Sequence, residues 1–231
     1  MKDESAKGVR EVEAILRRAV DAGGGHLDEH DSLRVLALRG MPVAGFALAG
    51  DAAEAVAAAR RIGYPVVLKG VLPGVAHKTE KGLVHPWVRS PAELEAIVGR
   101  LRTAGCAACL VAEHVPGIRE LVLGVVRDPL LGPAVVAAMG GVHSELIDDS
   151  VSVLAPVGEE QALRALGRLR CARMLGRYRG EEPARLGELA ALMGLLGRIA
   201  LEFPSIKELD INPLILRRDG TPVVCSGLIV V

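Results

Sequence analysis

Stretches with helical periodicity alternate with strand-like runs along this sequence, and at two places a pair of such runs is separated by little more than a turn. Residues 110–113 and 120–127 flank Pro116-Gly117, and residues 208–216 and 222–225 flank Arg218-Asp-Gly220, where Asp-Gly is a hairpin signal. Hairpin pairs inside an interleaved pattern predict mostly antiparallel α+β subdomains and argue against a doubly wound parallel sheet. With 231 residues, the chain is long enough for one large domain or for two subdomains. The natural division falls near Ala112, giving a front part, 1–111, with an N-terminal helix and a small subdomain, and a larger back part, 112–231.

The local signals are specific. Val9, Val12, Ile15, Leu16 and Ala19 recur at helical spacing over 9–20. Asp31 is the expected N-cap of a helix running to about Arg39, and Asp51 caps an Ala-rich helix ending near Ile62. Ser90-Pro-Ala-Glu93 is a capping box with proline at the first helical position. Further helices are expected over 159–169 and 184–202, and strands over 43–49, 64–69, 83–88 and 135–139.

Composition narrows the function classes. Lys and Arg number 28 and so do Asp and Glu, so the basic excess of a general nucleic-acid binder is missing. Two Phe, two Tyr and one Trp are too few for a nucleic-acid stacking platform. No apolar run approaches the roughly 18 residues of a membrane span. The charged start, Met-Lys-Asp-Glu-Ser-Ala-Lys, has no apolar core of a signal peptide. A cytoplasmic protein is expected. Cys106 and Cys109 have the C-x-x-C spacing, but no second pair completes a zinc site, and Cys109 opens the apolar run Cys109-Leu-Val-Ala112. They read as buried small residues.

Four places concentrate polar chemistry. Lys69 ends the run Tyr64-Pro-Val-Val-Leu-Lys69, which puts an ammonium at a strand end where it meets either solvent or an anionic ligand. The segment Val75-Ala-His-Lys-Thr-Glu-Lys-Gly82 offers His77 as a nucleophile toward phosphorus, with Lys78 and Lys81 offsetting charge; an exposed loop fits the same residues. Gly140-Gly141 suits either a close backbone approach to phosphates or a plain turn. In Glu208-Leu-Asp-Ile-Asn-Pro213, strand alternation gathers Glu208, Asp210 and Asn212 on one face. That oxygen-rich face suits Mg²⁺, and equally a solvated sheet surface.

Taken together, these segments resemble the β subunit of ADP-forming acetyl-CoA synthetases, ATP-grasp ligases of the succinyl-CoA synthetase superfamily. The resemblance runs from about residue 9 to the C-terminus. It is carried by Gly63-Tyr-Pro-Val-Val-Leu-Lys69, His77-Lys-Thr-Glu80, Gly124-Val-Val-Arg-Asp-Pro129 with Gly132-Pro133, Gly140-Gly141 with Glu145, Tyr178-Arg-Gly180, and Glu208-Leu-Asp-Ile-Asn-Pro213. It implies an ATP-grasp fold with nucleotide between two sheets. It also implies that Lys69 contacts phosphates, that Glu113 to Val115 form the adenine hinge, and that Glu120 bonds the ribose hydroxyls. Arg127 joins the cations around the transferred group, Asn212 is a Mg²⁺ ligand with Asp210 beside it, and His77 is the β-subunit phosphohistidine. The implied cofactors are ATP or ADP with Mg²⁺. The implied partner is a CoA-binding α subunit in a hetero-oligomer, and the reaction interconverts acyl-CoA, ADP and phosphate with free acid, CoA and ATP.

Two positions depart from the family pattern. Leu83 stands where the His77 loop carries a glycine, and Cys225-Ser-Gly227 stands where the last hairpin carries Asp-Ala-Arg. The second change removes a carboxylate that the family uses beside the asparagine to hold Mg²⁺, with Asp210 or Glu145 as substitutes. These departures support the alternative of a nucleotide-binding or structural subunit without turnover. A regulatory module of a protein acetyltransferase system is a further alternative.

Overall fold

Helices start where the sequence supplies a side-chain acceptor for their first free amides. The structure, a computed structural model, describes residues 2–72, 81–141, 149–177 and 179–231. Helix α1 spans Lys2–Asp21, and α2 spans Glu29–Leu38. The cap of α2 is Asp28, which accepts from the Asp31 amide at 2.8 Å. Asp31 therefore sits inside the first turn, where its carboxylate still complements the helix dipole, and the helix starts earlier than expected.

The smaller unit covers Ala44–Val115. Its elements are β1 (Phe46–Ala49), α3 (Ala52–Ile62), β2 (Val66–Val71), β3 (Val84–Val88), α4 (Pro91–Thr103) and β4 (Ala108–Glu113). The four strands form one antiparallel sheet in the order β1-β4-β2-β3. Asp51 caps α3 through the Glu54 amide and Ser90 caps α4 through the Glu93 amide, both as the sequence predicts. Both helices cover the same sheet face. Val66, Leu68, Val88, Cys109 and Val111 form one buried cluster with Ala55, Ala59, Leu94, Ile97, Val98 and Leu101.

The larger unit joins Met1–Val43 to Pro116–Val231. After α1 and α2 it contains β5 (Arg119–Asp128), β6 (Gly132–Met139), β7 (Ser150–Leu154), α5 (Glu159–Leu166), a 3₁₀ turn (Ala172–Leu175), α6 (Leu186–Glu202), β8 (Glu208–Leu216), β9 (Pro222–Val224) and β10 (Leu228–Val230). The sheet order is β10-β8-β5-β6-β7, with β9 also on β8, and every pairing is antiparallel. Helix α6 packs on β5 and β6. Its Leu189, Met193, Leu196 and Ile199 are buried, as are Leu121, Leu123, Val125 and Val135 of the strands.

The expected division into 1–111 and 112–231 is corrected on both counts. The Leu27 amide donates to Ile229 O and the Val231 amide to Gly25 O, each at 2.8 Å, and the Val224 amide donates to Pro42 O at 2.9 Å. These bonds fasten residues 25–43 to the C-terminal strands, so the N-terminal helices belong to the larger unit. Val43 makes only a bridge to Val224, which is why β1 begins at Phe46 and not at residue 43. The second boundary falls at Val115, because β4 continues through Glu113 before the chain leaves the sheet.

Candidate functional site

In the smaller unit, β2 alternates strictly. Val66 and Leu68 are buried under α3 and α4, so Val67, Lys69 and Val71 face the other way. Lys69 pairs with Leu110 on one side and Val84 on the other, in the middle of the sheet. The next residue must be glycine for packing reasons. A Cβ on Gly70 would meet Cys106 Sγ at 2.7 Å and Leu101 Cδ2 at 3.0 Å. The C-x-x-C pair is thus a packing element against the lysine strand. Both cysteines are buried, and burial pushes the Cys109 thiol up to about 11, out of reach of thiolate chemistry at neutral pH.

At the end of β4, the Glu113 amide donates to Gly45 O at 2.7 Å, and Glu113 Oε2 accepts from the Gly45 amide at 3.1 Å. The strand end is held by this clamp, with Val115 buried just beyond it. Between them, His114 stacks on Trp87 with ring centroids 3.7 Å apart and planes at 34°. Trp87 has φ 66°, is half exposed, and has the Arg89 guanidinium 5.8 Å from its ring. Nothing in the sequence pattern points to this pair, because it joins positions distant in sequence across a bulged ladder.

In the larger unit, β5 sorts the expected residues onto two faces. Arg119, Leu121, Leu123, Val125 and Arg127 share the α6 side; Glu120, Val122, Gly124 and Val126 share the opposite side. Across the ladder, Ile215 pairs with Glu120, Asp210 with Gly124 and Glu208 with Val126, so these share the Glu120 face. The register shifts between Leu121 and Leu123, where β8 carries one extra residue and Asn212 is exposed. Glu208 and Asp210 of the motif therefore share the face of Glu120, and Asn212 is exposed at the bulge between Asp210 and Ile215.

Gly140 lies against this group. Its amide donates to Glu120 O at 2.8 Å, and a Cβ there would come within 3.1–3.2 Å of Glu120 main-chain and Cβ atoms. The close approach made by this glycine is to the strand carrying Glu120.

Arg127 does not share the face of Glu120. It lies on the other face, and seven residues along the strand put it roughly 23 Å from Glu120. Its Nε donates to Ile206 O at 3.1 Å and its Nη2 to Ala200 O at 2.8 Å, bracing the C-terminal end of α6. In a short sequence window, an arginine on either strand face reads alike.

The donor set suits a hard cation. Asp210 is half-buried, and burial holds its carboxyl above the usual range, with no hydrogen bond or ion pair compensating among the described residues. A half-buried carboxylate two residues from an exposed asparagine offers the oxygen ligands that Mg²⁺ takes. Cys225, at the position where the family pattern has an aspartate, donates its amide to Pro213 O at 3.1 Å, and its thiol lies 3.6 Å from Val223 O. It sits next to the Asn212 bulge without adding a charge. His77, Glu145 and Tyr178 lie outside the described residues.

Comparison with known proteins agrees with this architecture. The ATP-grasp domain family matches residues 18–231. The ADP-forming acetate–CoA ligase I subunit beta of Pyrococcus furiosus is 34% identical over 211 residues, covering 88% of this chain and 91% of the relative. The ligase II subunit beta of the same organism is 30% identical, covering 97% and 96%. Among solved structures, the dinucleotide-forming acetyl-coenzyme A synthetase 1 of Ca. Korarchaeum cryptofilum superposes with a TM-score of 0.86 at 32% identity, over 95% of this chain and 99% of that one. That structure holds coenzyme A and Mg-AMPPCP, with a phosphohistidine segment pointing towards the nucleotide binding site. The chain belongs to the ATP-grasp family, and its relatives are β subunits of ADP-forming acyl-CoA synthetases. No helix among the described residues is long and apolar enough to cross a membrane.

Proposed function

We propose that the chain is the ATP-grasp subunit of a cytoplasmic ADP-forming acyl-CoA synthetase, working with a CoA-binding α subunit in a hetero-oligomer. It binds ATP or ADP with Mg²⁺ and passes phosphate through His77 to that partner. Overall, acyl-CoA, ADP and phosphate are interconverted with free acid, CoA and ATP.

The observation that carries this reading is the sorting of the polar residues. Lys69 stands on the helix-free face of one sheet, Glu120 and Asp210 on the face of the other away from α6, and Asn212 at the bulge after Asp210. Phosphoryl transfer requires cations around a crowded anion and an in-line nucleophile. The Lys69 ammonium offsets phosphate charge, and Glu120 accepts hydrogen bonds from ribose hydroxyls. Asp210 and Asn212 would hold Mg²⁺, which would supply positive charge to offset that of the phosphates. A neutral His77 nitrogen attacks the terminal phosphorus, the bond to the ADP oxygen breaks, and ADP leaves. The phosphoryl group then moves on to the partner, and His77 returns to its starting state.

The test is incubation with labelled ATP and Mg²⁺, with and without the α subunit. Acid-labile label on His77, and ATP formation from acyl-CoA, ADP and phosphate that His77→Ala abolishes, are the expected results. Undiminished turnover in that variant rules out the relay. The uncharged Cys225 beside the Asn212 bulge favours a second reading, a subunit that binds nucleotide without turning it over. Nucleotide binding with no labelled histidine selects that one.

A further inference from the structure

We propose that Trp87, seated on His114, is the side wall against which the base of the bound nucleotide packs, and that this pair sets affinity for the base separately from the phosphates. The inference rests on the nucleotide-binding reading above and names a specificity-determining residue within it.

Trp87 is the only tryptophan in a chain that is 2% aromatic, and half of it is exposed. Its φ of 66° is uncommon for a bulky side chain, and such conformations persist where the surroundings hold them. Here the surroundings are specific. The β2–β3 ladder shifts register between Val66 and Leu68, opposite the segment that contains Trp87. The indole lies on His114 at 3.7 Å, and Arg89 stands 5.8 Å from its ring. The Arg89 main chain is held by its amide, which donates to Glu93 Oε2 at 2.8 Å just ahead of the Ser90 cap of α4.

The face on which the pair stands follows from alternation. Glu113 directs its carboxylate to Gly45, which lies beside Ile62 on the helix-covered side, so the next residue, His114, turns to the uncovered side. Trp87, at the bulge beside the helix-side Val88, meets His114 and so stands with it on the uncovered side. Strand β2 runs between the two, since Val66 pairs with both Val88 and Glu113. The pair therefore flanks Val67, and Lys69 projects from the same face two residues, or roughly 7 Å, further along β2. A nucleotide whose phosphates meet the Lys69 ammonium has its base within reach of the indole.

The chemistry suits a base. An aromatic face stacks on any base, and Trp offers the largest one. The tilt of 34° against His114 leaves part of the indole uncovered, and the guanidinium near the ring keeps that surface polarised.

A single tryptophan makes the test direct. Indole emission is followed while the unaltered protein is titrated with ADP, and separately with tripolyphosphate, which carries phosphates and no base; calorimetry gives the affinity of each. ADP is expected to shift the emission along the same curve as the heat, and tripolyphosphate to bind without shifting it. Trp87→Ala is expected to weaken ADP about tenfold and leave tripolyphosphate unchanged, with Trp87→Phe recovering most of the loss. Lys69→Ala weakens both ligands. An emission change equal for the two ligands, or ADP affinity unaltered in Trp87→Ala, overturns the inference while leaving nucleotide binding intact. Absence of ADP binding to the folded protein overturns both together.

Discussion

Arg119 and Glu181 form a buried ion pair, with Nε 3.1 Å from Oε2 and the arginine fully shielded from solvent. The remaining guanidinium donors reach Met174 O at 3.3 Å, Gly176 O at 3.1 Å and Glu182 O at 2.6 Å. One side chain thus fastens the start of β5 to the segment between the 3₁₀ turn and α6. Glu120, the next residue, faces the opposite side of the sheet.

Removing one partner of such a pair leaves a buried charge and three carbonyls without their donor. Arg119→Met is therefore expected to lose about 3–5 kcal/mol of unfolding free energy. The double variant Arg119→Met, Glu181→Leu recovers part of that loss, because no uncompensated charge remains. Urea denaturation of the three proteins reads this out; a single variant as stable as the parent shows that the pair contributes nothing.

Arg127 and Glu120 lie on one strand but face opposite sides of the sheet. Arg127→Ala removes two charge-assisted hydrogen bonds at the end of α6 and is expected to cost about 1.5–3 kcal/mol while leaving ADP affinity within about twofold. Glu120→Gln has the reverse profile, a weakened ADP complex at an unchanged melting temperature. Thermal melts and calorimetry on both variants separate them. A large loss of ADP affinity in Arg127→Ala at full stability returns that arginine to the site.

The parts of the fold legible in the sequence are those fixed by local chemistry. Asp51, Ser90-Pro91 and the Asp-Gly turn each determine an element within a few residues of themselves, and their helices and hairpin stand where expected. Asp210 is legible for the same reason, since strand alternation alone assigns it a face, whereas Lys69 stands inside β2 and not at the strand end its sequence suggests, and Asn212 sits at a bulge that interrupts the alternation. Long-range pairing was not legible. The bonds from Gly25, Leu27 and Pro42 to the C-terminal strands place the N-terminal helices in the larger unit, and no local pattern encodes them. Strand β10 is too short, at three residues, to display a period. The Trp87–His114 contact needs both the bulge and the β3-β2-β4 order before it can be seen.

Acid sensitivity is expected at the other edge of the larger sheet, where Asp149 precedes β7. Its two carboxylate oxygens accept from the amides of Arg170 and Cys171, each at 2.8 Å, joining the strand to the chain leaving α5. Burial pushes this carboxyl up, but the Cys171 and Arg170 amides, with the Cys171 thiol and the Arg170 charge, outweigh it and hold the group below the ordinary range. A depressed carboxyl binds its proton less readily folded than unfolded. Its contribution is therefore complete above the unfolded value, about 3.9, and disappears as pH falls through the folded one. Asp149→Asn turns an amide toward two amide donors and is expected to cost about 1–2 kcal/mol at pH 7. That gap persists down to about pH 4 and narrows below it, as the parent loses the same charge. Urea midpoints of the two proteins from pH 7 to the acid limit of folding measure it, and a gap of constant size across that range removes Asp149 as the cause.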